Sequence, residues 1–154
     1  MKRTITLSVN GERWGVGVEP NETLLEVLRE KIGIKSPKIG CERGDCGSCT
    51  VLLDGRTVRS CLVLAVEADG REIVTVEGLS ADGPNALQRA FIEKNAFQCG
   101  FCAPGIVLVA TELLGRNPHP TEDDVREALA GNLCRCTGYE PIIEAVMEVT
   151  EKHR

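Results

Sequence analysis

Eight cysteines in a chain of 154 residues constrain this sequence more than any other feature. They fall in two groups of four: Cys41, Cys46, Cys49 and Cys61, then Cys99, Cys102, Cys134 and Cys136. The opening Met1-Lys2-Arg3-Thr4-Ile5 carries no secretory core and no twin-arginine signal, so a cytoplasmic location is expected. That compartment keeps thiols reduced. Closely spaced cysteines there are more often metal ligands or redox groups than disulfides.

The first group reads C-x4-C-x2-C with the fourth cysteine after eleven more residues, the plant-type spacing for a [2Fe–2S] cluster. Three thiolates must converge on one small inorganic core from a short stretch, so the backbone has to wrap around it. Gly40, Gly44 and Gly47 interleave with these cysteines. Glycine accepts positive φ and lets backbone N–H groups approach sulfur. Such donors tune the potential of a bound cluster. Cys61 closes the cage from the far end of a hairpin. Zinc is the alternative, but structural zinc favours paired C-x2-C knuckles, and only Cys46 and Cys49 make one.

The second group is less explicit. Cys99 and Cys102 fall in the link between two predicted helices, and Cys134 and Cys136 in the link between the next two. Each helical hairpin therefore offers two thiolates. Two hairpins packed about a pseudo-twofold would bring four thiolates to one end of a bundle, which suits a cluster whose irons each take two sulfurs. Three alternatives stay open on the residues alone. Cys99-Gly-Phe-Cys102 could be a thioredoxin-like redox pair, though no βαβ pattern surrounds it. The four could bind zinc, or some could be buried core thiols.

The rest of the chain supplies a scaffold. Residues 4–9 alternate as a half-buried strand, Asn10-Gly11 is a hairpin signal, and residues 12–18 return. Thr23 with Glu26 reads as a capping box, followed by the apolar face Leu24, Leu25, Val27, Leu28 and Ile32, with Gly33 as the stop. Strands are predicted at 50–53, 56–60 and 73–76, with a turn at Asp54-Gly55. The fold class is α+β, with a β-grasp, plant-type ferredoxin unit over residues 1–79. Over residues 80–154 a four-helix bundle is predicted. Its helices are 84–96, Pro104 to Gly115, one from Thr121 and one from about Glu140. Units this small are marginal on burial alone, so a bound metal centre would also brace them. A net charge of −5 without a basic run argues against nucleic acid, and no apolar run is long enough to span a bilayer.

Three stretches stand in order: Ile39-Gly-Cys-Glu-Arg-Gly-Asp-Cys-Gly-Ser-Cys-Thr-Val51, Gln98-Cys-Gly-Phe-Cys-Ala-Pro-Gly105 and Gly131-Asn-Leu-Cys-Arg-Cys-Thr-Gly-Tyr139. On these motifs the chain resembles the iron–sulfur subunit of molybdenum hydroxylases. That family includes xanthine dehydrogenase, carbon monoxide dehydrogenase, 4-hydroxybenzoyl-CoA reductase and aldehyde oxidoreductases. The resemblance implies a distal [2Fe–2S] cluster at Cys41, Cys46, Cys49 and Cys61, and a proximal one at Cys99, Cys102, Cys134 and Cys136. It implies a large partner subunit whose molybdopterin meets Gln98 and lies close to Cys136. A medium FAD-binding subunit and a dimer of heterotrimers are also implied. The chain would then relay single electrons from the molybdenum site through the two clusters to a flavin subunit or another acceptor, with substrate chemistry in another polypeptide and no catalytic residue here. One departure is Ala103, where the family usually has threonine. The hydroxyl that could cap the next helix or bond near the cluster is missing.

The remaining polar and aromatic residues have plainer readings. His119, between Pro118 and Pro120, reads as a surface loop residue. Trp14 and Tyr139 read as packing groups. Arg43 and Arg135 either offset cluster charge or face solvent. Glu122-Asp123-Asp124 suits a helix N-terminus.

Overall fold

The computed structural model describes residues 1–152. Strands β1 (Arg3–Val9) and β2 (Glu12–Val18) form the predicted hairpin, with Asn10 and Gly11 both at positive φ, 51° and 83°. That pair of left-handed residues matches the twist of the strands it joins. Strands β3 (Thr50–Leu53) and β4 (Arg56–Arg59) form a second hairpin, and β5 (Glu72–Val74) lies parallel to β1 and antiparallel to β3. The sheet order is β2-β1-β5-β3-β4.

Helix α1 (Leu24–Glu26) crosses this sheet. Thr23 and Glu26 make the capping box, with Glu26 N donating to Thr23 Oγ1 at 3.2 Å and Thr23 N to Glu26 Oε2 at 2.7 Å. The helix widens into a π-type turn over Val27–Ile32, and Gly33, at φ 89°, closes it by donating to the Leu28 carbonyl. Leu24, Val27 and Leu28 pack on Leu7, Val51 and Ile73 to form the first core. Each such fully buried side chain contributes about 1.5–3 kcal/mol. Trp14 does not join this core. It lies opposite Leu7 on the face of β2 that also carries Val16 and Val18, with 36% of its surface exposed, so it is a half-exposed edge residue rather than a buried packing group.

The strand predicted at 73–76 stops at Val74. Thr75 N donates to Asn10 Oδ1 at 2.9 Å, and the chain turns into the short helix α2 (Val76–Leu79), which periodicity did not indicate. The four predicted helices follow: α3 (Ala86–Glu93), α4 (Ala103–Arg116), α5 (Glu122–Leu129) and α6 (Glu140–Lys152). Helix α3 is shorter than predicted because Asn85 caps its start and Asn95, at φ 49°, turns the chain after it. Helix α4 begins one residue before Pro104 and runs past Gly115 to Arg116. Leu87, Phe91, Ile106, Leu113, Val125 and Ile142 build a second core, separate from the first. The two halves meet where β3 and β4 face α4. There Thr57 donates from both N and Oγ1 to Glu112 Oε2, at 3.0 and 2.5 Å.

Candidate metal centres

The loop before β3 wraps as Gly44 and Gly47 suggested, while Gly40 keeps an ordinary φ and instead leaves room for the Cys46 sulfur, 2.7 Å from where its Cβ would lie. Glu42, Gly44 and Gly47 all take positive φ, at 55°, 85° and 75°. The turn points the N–H groups of Arg43, Asp45 and Cys46 at Cys41 Sγ, at 3.5, 3.3 and 3.4 Å, and that of Ser48 at Cys46 Sγ, at 3.5 Å. The Arg43 and Cys46 amides pull the Cys41 thiol down to about 6. Cys61 enters from the end of β4 and is buried beside Cys49. Burial first, then the Cys49 sulfur, pushes it up to about 11, against a donor from the Gly44 backbone. A side chain at residue 44 would meet only the movable end of the exposed Leu62, so it is the positive φ of this turn that calls for glycine.

The second group comes together at one end of the bundle. Cys99 and Cys136 are exposed with their sulfurs 3.5 Å apart, while Cys102 is buried at the start of α4 against Cys134. Burial and the Cys134 sulfur push Cys102 up to about 12. Cys99 is lowered, chiefly by the Phe101 amide. Burial raises Cys134, but the Thr137 hydroxyl at 3.2 Å and the Thr137 and Cys136 amides bring it below its ordinary value. Gln98 lies on the exposed edge and donates from Nε2 to the Cys136 carbonyl at 3.1 Å. Ala103 is the first residue of α4, and no side chain caps that end.

Both groups thus hold their sulfurs in pairs: Cys41 with Cys46, Cys49 with Cys61, Cys99 with Cys136, and Cys102 with Cys134. Among the described residues no three Cys, His, Asp or Glu side chains close on a single ion. A [2Fe–2S] core takes two thiolates on each iron and is tuned by N–H donors to sulfur. Paired thiols with backbone donors on their sulfurs fit that core.

The two cysteine loops are stitched together by residues to which the sequence assigned no role. Asn132 is 2% exposed and donates from Nδ2 to Gly47 O at 3.0 Å and to Thr50 Oγ1 at 3.2 Å. Arg59 reaches from β4 to Thr50 Oγ1 and Gly131 O, at 3.0 and 2.7 Å. Tyr139, at φ 73°, does more than pack. Its hydroxyl accepts from Cys134 N at 2.9 Å and donates to Asn132 O at 3.0 Å. Arg43 pairs with Asp45 at 2.6 Å, both exposed, and Arg135 and His119 are exposed.

Residues 7–79 match the family described as 2Fe-2S iron-sulfur cluster binding domain, and residues 75–147 the family described as [2Fe-2S] binding domain. The nicotine 6-hydroxylase small subunit of Paenarthrobacter nicotinovorans is 54% identical over 144 residues, spanning 94% of this chain and 87% of that protein. The nicotinate dehydrogenase small FeS subunit of Eubacterium barkeri is 48% identical over 152 residues, 98% of this chain and 97% of that one. The chain belongs to the iron–sulfur subunits of the molybdenum hydroxylase family. A chain in the crystal structure of quinoline 2-oxidoreductase from Pseudomonas putida 86 superposes with a TM-score of 0.94. It is 50% identical, with 97% of this chain and 94% of that chain covered. As an iron–sulfur subunit of this family, the protein carries two [2Fe–2S] clusters. It is the electron-transfer part of an oxidoreductase complex.

Proposed function

We propose that Cys41, Cys46, Cys49 and Cys61 hold the distal cluster, and that Cys99, Cys102, Cys134 and Cys136 hold the proximal one. When bound, the clusters supply two centres that each accept and give up one electron. The chain's own residues place them, shield them and set the order. Residues 1–79 and 80–154 act as the two carriers, joined through Asn132 and Arg59.

One observation carries the direction. Cys99 and Cys136 stand exposed and paired at the open edge of the bundle, while Cys102 is buried behind them. Gln98, hydrogen-bonded to the Cys136 carbonyl, and the exposed Phe101 and Leu133 lie along the same loops. An edge with a reachable thiolate pair and apolar flanks suits a protein partner. We assign that edge to a large molybdopterin-binding subunit, with Gln98 and Cys136 next to the pterin. Electrons leave on the side of Cys41 and Cys46 for a medium FAD-binding subunit. The complex is a dimer of heterotrimers in the cytoplasm. Among the described residues no helix is long and apolar enough to cross a membrane.

Co-purification tests this reading. The tagged chain should bring down a molybdenum-containing subunit and a flavin-containing one, in a particle sized for two heterotrimers by light scattering. A cluster-loaded chain that stays monomeric and serves an acceptor alone would make it a freestanding ferredoxin instead.

A further inference from the structure

We propose that Arg59 is a positioning residue for both centres: its guanidinium is the counter-charge held between the two cysteine loops, and it favours the reduced state of each. The inference rests on the ligand assignment proposed above.

Arg59 closes β4, two residues before Cys61. Its Nη1 donates to Thr50 Oγ1 at 3.0 Å, and Thr50 follows Cys49 directly. Its Nη2 donates to Gly131 O at 2.7 Å and lies 3.5 Å from Asn132 Oδ1, just ahead of Cys134. A Cβ at residue 131 would collide with Nη2, so glycine there makes the seat. Every one of these partners is a neutral oxygen. Arg59 Nε is buried with no hydrogen-bond partner among the described residues. Arg59 as a whole is half-buried, and a cation partly drawn out of water without an anion is costly and is ordinarily compensated. Thiolate-bound iron–sulfur cores on Cys49, Cys61 and Cys134 would supply that negative charge. Each added electron makes such a centre one charge more negative, so a nearby cation in a partly screened seam raises its potential. Mechanical clamping alone does not require Arg59, because Asn132 already ties Gly47 and Thr50 to the second loop.

The test is an EPR-monitored potentiometric titration of the full chain in its complex, comparing wild type, Arg59→Gln and Arg59→Lys. Glutamine should lower both midpoint potentials, reducing the reduced-to-oxidised ratio at a fixed potential by about tenfold, or about 59 mV for one electron. Lysine keeps the charge without the fork and should hold both potentials near wild type. Unchanged potentials in Arg59→Gln would overturn the inference, as would equal falls in both variants. If Arg59→Gln retains too little cluster to titrate, Arg59→Lys decides: held potentials support the charge role, and fallen ones refute it. A wild-type complex without two cluster signals would instead defeat the ligand assignment.

Discussion

The backbone N–H of Leu133 donates to the carbonyl of Cys46 across 2.8 Å. One hydrogen bond therefore links a cysteine of the first loop to the residue before Cys134 in the second. The Leu133 side chain takes no part and is 56% exposed. Leu133→Ala should change stability by no more than about 0.5 kcal/mol. Leu133→Pro removes the donor and should cost about 1–3 kcal/mol. Thermal unfolding of the loaded chain separates them, since about 1 kcal/mol moves the midpoint by about 2–4 °C at this size. Equal midpoints for the two variants would refute the link.

Gly47 sits where the loops press closest. It has φ 75°, and a Cβ there would meet Asn132 Cγ at 2.8 Å and the Gly131 carbonyl oxygen. Gly47→Ala should cost about 2–4 kcal/mol through strain and overpacking. Gly115, inside α4, has nothing among the described residues beyond its own helix backbone and chain neighbours within 4 Å of the same added atom. Gly115→Ala should stabilise by about 0.5–1 kcal/mol, as alanine does in a helix. Denaturant unfolding of both variants checks the contrast.

Tyr139→Phe tests the phenol as a strut. Its hydroxyl is the partner of both Cys134 N and Asn132 O. Removing it should cost about 1–3 kcal/mol and broaden only one of the two EPR signals, that of the cluster on Cys134. Equal broadening of both signals would show the strut to be global rather than local.

These struts mark the limit of what the sequence discloses. Asn10-Gly11 and Thr23 with Glu26 were legible because each acts over two to four residues. The cysteine spacings were legible because a short loop around a small core leaves few solutions. Helix α2 was not, because it depends on Asn10 holding Thr75 from 65 residues away. Arg59 and Asn132 meet across 73 residues, and no local pattern records such a contact. Tyr139 sits within a recognised motif, yet its role follows from a left-handed backbone that brings its hydroxyl back to Cys134.

Asp54 supplies a pH dependence. The Arg71 guanidinium at 2.7 Å, and then the Glu72 N–H at 3.0 Å, hold its carboxyl below the ordinary 3.8. A depressed folded value stabilises above the unfolded value, and that contribution is lost as pH falls through the folded one. Wild type should therefore be more stable than Asp54→Asn near neutrality, with the gap closing below about pH 3.8. Midpoint-against-pH curves that stay parallel through that window would contradict the assignment.

EPR of the dithionite-reduced complex, with Cys49→Ser and Cys102→Ser beside wild type, tests the central claim most directly. Wild type should give two distinct [2Fe–2S] signals. Cys49→Ser should lose one and keep the other, and Cys102→Ser should do the reverse. A folded variant that loses both signals, or a colourless wild type without iron and acid-labile sulfide, would contradict two clusters on two separate sets of four cysteines.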